Sequence, residues 1–299
     1  MRQLSKHADQ ITIVVPAFNE ETHIGRCIAS LDSQSYPRDR YNIIVVDNGS
    51  TDRTCQIVND SPATLLRESR RSAYWARNLA IEKSQGDWLA FTDADCIAEP
   101  TWLENLHRRA VESGAWMVGG LTKYDVVRDT MGNRLLYETH LPDQLRTTIE
   151  TYHCVAGGNM FVRREAFERF GPFRVVRSGS DIEMSKRLAA QNHPSVFAED
   201  AVVRHQCDLS NWEYLRRSYR IRFGQRMHSS LPHGMAAAAR QLTTLPWQPG
   251  FRAGAQSVSI QHLGPPPGFV KQWLFRWATR WAGFLGELHG TIAPRQQVN

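Results

Sequence analysis

Residues 88–95 read WLAFTDAD, an apolar run that ends in two acidic residues. The run predicts a buried strand over residues 88–92, because an uninterrupted apolar segment of this length is typical of a strand covered on both faces. Asp93 and Asp95 follow at the carboxyl end of this strand, where two carboxylates offer hard oxygen ligands to Mg²⁺ or Mn²⁺. An isolated Asp-x-Asp pair is more often a solvated turn, so the neighbouring segments decide what this pair means.

Apolar runs that predict strands alternate with segments of helical periodicity in the first half of the chain. The strands are expected at residues 11–15, 43–46, 64–66 and 88–92. The intervening helices are expected at residues 24–31, around residues 55–58 and at 74–83. This alternation predicts an α/β fold with a mostly parallel central sheet flanked by helices.

The pattern after Asp95 is less regular. Further helices are expected at residues 101–113, 164–170 and 181–190, and further strands at 116–120 and 155–162. A basic helix over 213–227 and a final helix over 269–288 flank a mixed stretch, residues 229–268. We therefore predict a catalytic domain over residues 1–210 and a basic, aromatic, helical C-terminal region over 211–299.

Four segments combine a predicted element with polar or acidic residues at the sheet edge where open α/β folds bind ligands. They are VVPAFNE (14–20), VVDNGSTD (45–52), ARN (76–78) and FTDAD (91–95). In this order they resemble the family-2 glycosyltransferases of GT-A fold, and the resemblance runs from about Ile11 to about His205. It implies a Rossmann-like GT-A domain with a helical C-terminal appendage, whose nucleotide-sugar half spans about 11–120 and whose acceptor half spans about 121–210.

The resemblance implies an inverting enzyme that moves a sugar from a nucleotide diphosphate sugar, a UDP-sugar by family frequency, to an acceptor hydroxyl. Asp95 would bind Mg²⁺ or Mn²⁺, Asp93 would lie near the ribose, and Asp47 would accept from a base N–H. Arg77 would help to hold the nucleotide. The other residues expected on the donor side are Pro16, Ala17, Phe18, Glu20 and Ala94.

A general base is needed, because a sugar hydroxyl is a poor nucleophile until its proton is being removed. The resemblance points to Asp181, at a predicted helix N-terminus where the helix dipole favours a carboxylate. Ser180 stands where relatives usually carry Glu. His205 matches a position at which some relatives bind the metal. The segment expected to line the acceptor side is Gly157, Gly158 and Asn159.

Charge is distributed unevenly along the chain. From Arg204 onward twelve Lys and Arg face three Asp and Glu, a net charge of +9, whereas the first 203 residues carry 24 against 27, a net charge of −3. The final helix adds an apolar stripe with cations nearby, which suits either a membrane interface or packing against the protein. The stripe comprises Trp273, Trp277, Trp281, Phe284 and Leu288.

The resemblance implies a role in polysaccharide or glycolipid assembly, with a glycan or a lipid-linked sugar as the acceptor. The polar N-terminal segment, the five scattered cysteines and the lack of an apolar run of about twenty residues favour a cytoplasmic protein. If the final helix is interfacial, the protein is peripheral on an anionic membrane surface, the inner face of the plasma membrane.

Other classes fit the sequence less well. A nucleic-acid-binding protein would explain the basic end, but no binding module is recognisable, and we expect no nucleic-acid partner. A Rossmann dehydrogenase would carry GxGxxG after the first strand, where this chain has Pro16-Ala17-Phe18-Asn19. A nucleotide-sugar-binding subunit that has lost catalysis stays an alternative, which the retention of Asp95 together with Asp181 disfavours.

Overall fold

The computed structural model describes residues 9–176, 178–228 and 269–292. The predictions for the N-terminal segment before residue 9 and for the mixed stretch 229–268 lie outside these residues. The chain divides into two compact units. The first unit comprises Met1–Lys123, Pro142–Val175 and Asp181–His205, and the second comprises Tyr124–Leu141, Val176–Ser180 and Gln206–Asn299. The domain boundary at residues 210 and 211 stays a prediction.

Eight strands form one sheet in the order β3-β2-β1-β4-β7-β6-β8-β5. They are β1 Ile11–Ala17, β2 Tyr41–Asp47, β3 Thr64–Arg67, β4 Trp88–Thr92, β5 Cys96–Ala98, β6 Met117–Val126, β7 Asn159–Arg163 and β8 Val196–Cys207. The run from β3 to β4 is parallel, whereas β7 pairs antiparallel with β4 and β6, and β5 with β8. The parallel strands β1 to β4 are separated along the chain by helices, as the sequence predicts.

Ten helices accompany the sheet within the described residues. They are α1 Ile24–Asp32, α2 Thr54–Asn59, α3 Ala73–Lys83, α4 Trp102–Ser113, α5 Met131–Thr139, α6 Pro142–Arg146, α7 Arg164–Phe170, α8 Ser180–Ala189, α9 Asn211–His228 and α10 Phe269–Ile292. A 3₁₀ turn at Arg38–Arg40 precedes β2, and a π-helical segment at Thr147–Thr151 follows α6. No helix of the described residues has both the length and the apolar character that crossing a membrane requires.

The core of the first unit is built on the parallel strands. Ile13, Val45 and Ala90 come from three neighbouring strands, and each is 0–1% exposed. Trp88 stacks on Phe161 across the β4–β7 pair, with ring centroids 4.8 Å apart. Because β1, β2 and β4 are apolar on both faces, the sheet is covered on both sides, as the unbroken apolar runs predict.

The second unit has an apolar cluster of its own, in which Tyr214 of α9 packs against Phe275 of α10. Glycine allows these two helices to approach closely, because a Cβ at Gly286 would collide with the carbonyl oxygen of Tyr219. The remaining buried members of the cluster are Tyr124, Leu135, Leu136 and Cys207.

Predicted and observed elements agree best in the first 113 residues, where each predicted strand and helix is present within a few residues. The observed β6 continues past the predicted end at residue 120, and β7 begins at Asn159 rather than near residue 155. The sequence analysis does not predict β5, β8, α5 or α6. In β8 the exposed charges of Glu199 and Asp200 interrupt the apolar pattern, and β5 has only three residues.

Asn159 joins three parts of the first unit. Its side chain is 2% exposed; it accepts a hydrogen bond from the Trp102 indole N–H at 2.9 Å and donates to the carbonyl oxygens of Leu121 and Ala201, both at 3.0 Å. Asn159 was expected to line the acceptor side, but its amide is committed to these buried partners. Its side chain therefore has a structural role.

We expect Asn159→Ala to lower the free energy of unfolding by about 2–4 kcal/mol, because the substitution leaves one indole N–H and two carbonyl oxygens buried without this partner. Urea unfolding followed by circular dichroism measures the loss. Asn59→Ala, on the exposed end of α2, is the control and should change stability by less than about 0.5 kcal/mol. Equal stabilities of the two variants would contradict the structural role.

Candidate active site

The predicted site residues gather at the carboxyl end of the parallel strands. Ala17, the last residue of β1, pairs with Asp47, the last residue of β2, and Asp93 follows β4 directly. Parallel strands that end together bring the residues after them to one edge of the sheet. The acids that are far apart in sequence therefore come together here.

The turn after β2 is fixed by its own side chains. The Asp47 carboxylate is 4% exposed and accepts from the backbone N–H groups of Gly49 and Ser50, both at 3.2 Å. Asn48 donates to the carbonyl oxygens of Glu68 and Arg70 and accepts from the backbone N–H of Ser72. Asn48 thus fastens the loop that leads into α3, a role that the sequence analysis does not assign.

Residues after β1 form a second wall of the site. Phe18 is 41% exposed, and the guanidinium of Arg71 lies over its ring, 4.6 Å from the centroid. The Glu20 carboxyl and His23 Nδ1 share a hydrogen bond of 3.0 Å. Burial, and then the negative charge of Asp95, raise the pKa of Glu20, although the hydrogen bond from His23 opposes this.

Three of the predicted donor-side residues lie at this edge of the sheet without a charged side chain. Ala17 is 2% exposed, and its carbonyl oxygen accepts from the Asn48 N–H at 2.8 Å. Ala94 is 4% exposed, whereas Pro16 is half-buried within β1. Two alanines and a proline at these positions leave the edge of the sheet without a charged side chain there.

Arg77 and Asp93 form an ion pair at the base of the site. Arg77 Nη2 donates to Asp93 Oδ1 at 2.8 Å, and the Arg77 side chain is 6% exposed. The Arg77 Nε is buried and has no hydrogen-bond partner among the described residues. A Cβ at Gly157 would lie 2.9 Å from the guanidinium, and one at Gly158 would lie 2.8 Å from Asp93 Oδ2. The two glycines therefore leave the space that the ion pair occupies.

Asp93 carries opposing electrostatic influences. Desolvation by its surroundings raises its pKa, Arg77 lowers it, and the negative charges of Asp95 and Asp181 raise it further. The net direction is upward. Because the Asp93 side chain is 44% exposed, solvent moderates the desolvation.

Asp95, Cys96 and His205 offer ligand atoms that lie within 4.8 Å of one another. Cys96 and His205 are directly opposite in the antiparallel β5–β8 pair, and His205 Nε2 lies 3.1 Å from Asp95 Oδ2. Burial alone would raise the pKa of Asp95, but the hydrogen bond and charge of His205 outweigh it and lower the pKa. The Asp95 carboxylate is the kind of ligand that Mn²⁺ and Mg²⁺ prefer. Burial raises the pKa of the Cys96 thiol.

Asp181 begins α8 together with Ser180, and its carboxylate is held by three hydrogen bonds. Oδ2 accepts from the Gly157 N–H at 2.7 Å, and Oδ1 accepts from the Ile182 N–H and from the Tyr74 hydroxyl, both at 3.0 Å. Tyr74 is a contact that the sequence analysis misses, since the two residues lie 107 positions apart. Ser180, expected on the acceptor side, is 0% exposed, so its side chain is not presented to a ligand in this structure.

The first unit carries most of the predicted site residues, and they divide into acids and the basic groups that pair with them. Carboxylates come from Glu20, Asp47, Asp93, Asp95 and Asp181. The Arg77 guanidinium pairs with Asp93, and the His205 ring pairs with Asp95. Such an arrangement suits a ligand with negative charge that is neutralised by Arg77 and a divalent cation, next to a hydroxyl that loses a proton to a carboxylate.

The sequence is similar to known glycosyltransferases. The sequence model described as glycosyl transferase family 2 matches residues 12–171. Glycosyltransferase AglE of Haloferax volcanii is 31% identical over 223 residues, which cover 72% of this chain and 72% of that protein.

Two solved structures share the fold. Mannosyltransferase PcManGT from Pyrobaculum calidifontis, in complex with GDP-Man and Mn²⁺, has a TM-score of 0.69 at 19% identity, covering 96% of this chain and 88% of that one. TarS 1–349 of S. aureus, in complex with UDP, has a TM-score of 0.53 at 18% identity, covering 78% and 69%. The predicted GT-A fold is confirmed.

We expect Mn²⁺ to bind the protein and Asp95→Asn to weaken that binding about 10- to 100-fold, because the carboxylate supplies a charged oxygen ligand and orients His205. Titration of free Mn²⁺ by electron paramagnetic resonance measures the affinity. Asp39→Asn, which alters an 81% exposed acid, is the matched control. Unchanged Mn²⁺ affinity in Asp95→Asn would rule out this carboxylate as a ligand.

Proposed function

The chain belongs to glycosyl transferase family 2, and from this premise we propose that it moves a sugar from a nucleotide diphosphate sugar to an acceptor hydroxyl with inversion at the anomeric carbon. The observation that carries the proposal is the Asp181 carboxylate. It is held by three hydrogen bonds, one of them from the N–H of Gly157, and Gly157 also lies against the Arg77 guanidinium that pairs with Asp93. A base and an anion-binding edge are the two parts that such a transfer needs.

In the proposed reaction the acceptor oxygen attacks the anomeric carbon on the side opposite the diphosphate. The acceptor proton passes to Asp181 as the new C–O bond forms. The bond from the anomeric carbon to the diphosphate breaks, and the nucleoside diphosphate leaves with the electron pair. One displacement of this kind inverts the configuration, and no covalent sugar–enzyme intermediate is required.

The donor side follows from the charges at the strand ends. Arg77 has a buried Nε without a hydrogen-bond partner among the described residues, next to its ion pair with Asp93, so an incoming anionic or polar donor group would find a cation there. Asp95 and His205 would hold Mg²⁺ or Mn²⁺, and the ion would neutralise charge on the leaving diphosphate. Phe18 and the Arg71 guanidinium over it offer a flat surface for a base.

We propose a UDP-sugar as the donor. The choice of uridine rests on family frequency; Asp47 would accept from the N–H of a uracil ring, as it could from the N–H groups of guanine. Of the similar structures, one holds GDP-Man and another holds UDP, so the fold accommodates more than one nucleotide. The donor assay must therefore offer both classes.

We also propose that the second unit places the enzyme on an anionic membrane surface, where it acts on a glycan or a lipid-linked sugar. Helices α9 and α10 line an open groove of about 820 Å³. Trp212, Trp277 and Leu285 line it and are 67%, 45% and 48% exposed. Arg216 and Arg220 line the same groove. Exposed indole rings beside arginines are complementary to an anionic headgroup layer above acyl chains.

We expect Asp181→Asn to lower kcat about 10²- to 10⁴-fold, because the amide cannot take the acceptor proton. The dissociation constant of the donor should change less than about threefold. Transfer is measured with UDP-glucose, UDP-N-acetylglucosamine and GDP-mannose, each with octyl glycosides, and the pair that the wild-type protein turns over serves for every variant.

Asp143→Asn is the control for this experiment, since Asp143 is another acid in the first turn of a helix, α6, and is exposed. It should retain the wild-type rate. Full activity of Asp181→Asn would refute the base assignment. A wild-type protein that binds a donor but transfers nothing would favour the catalytically degenerate subunit instead.

Vesicle binding tests the membrane proposal. We expect co-sedimentation with phosphatidylcholine vesicles that contain phosphatidylglycerol, and less with phosphatidylcholine alone. Trp212→Ser and Trp277→Ser should each weaken binding about tenfold, since each removes a large apolar contact. Tyr152→Ser removes a 63% exposed aromatic ring from the first unit and is the control. Equal binding by all variants, or none by the wild-type protein, would contradict the proposal.

A further inference from the structure

Tyr74 lies in the first turn of α3, and its side chain is almost fully enclosed. It is 6% exposed, yet its hydroxyl lies 3.0 Å from Asp181 Oδ1. An ionised carboxylate only accepts hydrogen bonds, so the phenol is the donor. A buried tyrosine hydroxyl thus donates to the carboxylate of the proposed base.

The hydrogen bonds to Asp181 are unequally shared between its two oxygens. Oδ1 accepts from Tyr74 and from the Ile182 N–H, whereas Oδ2 accepts from the Gly157 N–H. A carboxylate oxygen has two lone-pair sites. Oδ1 is therefore saturated, and Oδ2 keeps one site open. The tyrosine hydroxyl occupies the second lone-pair site of Oδ1, so an incoming proton has an open site only on Oδ2.

Tyr74 also stands next to the donor side of the site. Arg77 follows it three positions later, on the same face of α3, and the Arg77 guanidinium lies 5.6 Å from the Tyr74 ring centroid. Ser72 caps the helix by accepting from the Tyr74 N–H at 3.2 Å, and Phe173 packs against the ring. One short helix therefore holds both the partner of Asp93 and the partner of Asp181.

We propose that Tyr74 is a positioning residue that fixes the Asp181 carboxylate so that Oδ2 takes the acceptor proton. The hydroxyl donates to Oδ1 throughout and keeps its own proton. Through α3, Tyr74 and Arg77 hold the base and the anion-binding pair at a constant separation. The inference rests on the proposed function, because it assigns an orientation to the base named there.

Tyr74→Phe isolates the hydroxyl, because the ring that meets Arg77 and Phe173 remains. We expect kcat to fall about 10- to 100-fold, the effect of losing one hydrogen bond to a charged group, while the KM of the donor changes less than about twofold. The assay uses the donor and octyl glycoside pair that the wild-type protein turns over.

Tyr36→Phe is the matched control. Tyr36 is 7% exposed, and its hydroxyl donates to the carbonyl oxygen of Asp9 at 2.9 Å. This variant loses one hydrogen bond from a buried tyrosine far from the base and should keep the wild-type kcat. Thermal unfolding of both variants shows how much of any change comes from stability alone.

The double variant Tyr74→Phe with Asp181→Asn separates positioning from a general structural effect. If Tyr74 acts through Asp181, the double variant is no slower than Asp181→Asn. An equal loss from Tyr74→Phe in both backgrounds would overturn the inference. So would a wild-type kcat for Tyr74→Phe while Asp181→Asn is impaired, and that result would leave the proposed function standing. Full activity of Asp181→Asn would instead remove the base itself.

Discussion

The contact between Arg77 and Asp93 is the constraint on which the rest of the site depends. A buried guanidinium must be paired, and its partner is an acid that already lies beside a second acid. The pairing of β7 with β4 sets Asn159 opposite Thr92, and so brings the chain just before β7 against Asp93. The backbone can pass there because residues 157 and 158 are glycines. The same segment donates the Gly157 N–H to Asp181, so one loop contacts both the Arg77–Asp93 ion pair and the Asp181 carboxylate.

Elements that the sequence predicts well are those whose local pattern and tertiary environment agree. The strands β1, β2 and β4 are mostly apolar because both of their faces are largely buried, and an acidic residue lies at or within three residues of the carboxyl end of each. In β8 the pattern is mixed, because exposed acids at Glu199 and Asp200 share the strand with buried residues. The family resemblance supplies the roles of Asp95 and Asp181, which spacing alone does not give.

The remaining differences arise from contacts between distant parts of the chain. Nothing near Tyr74 in the sequence signals a partner at Asp181, since the hydrogen bond depends on how α3 and α8 lie in the folded unit. The sequence treats Asn159 as part of a ligand-facing segment with its two glycines. In the fold the glycines lie at the ion pair, while the asparagine amide turns into the interior. Gly158 and Asn159 are adjacent in sequence, but strand β7 begins between them, so the glycine faces the ion pair and the asparagine side chain faces the core.

We propose that the strand-end acids and Arg77 bind a nucleotide sugar together with a divalent ion. Calorimetry with UDP-, GDP- and dTDP-sugars, in Mn²⁺ and then in chelator, tests this directly on the wild-type protein and on Asp95→Ala. One nucleotide class is expected to bind in Mn²⁺, and both chelator and the loss of Asp95 are expected to weaken that binding. A folded protein that binds none of these donors, or binds one equally well in chelator and in Asp95→Ala, would contradict the proposal.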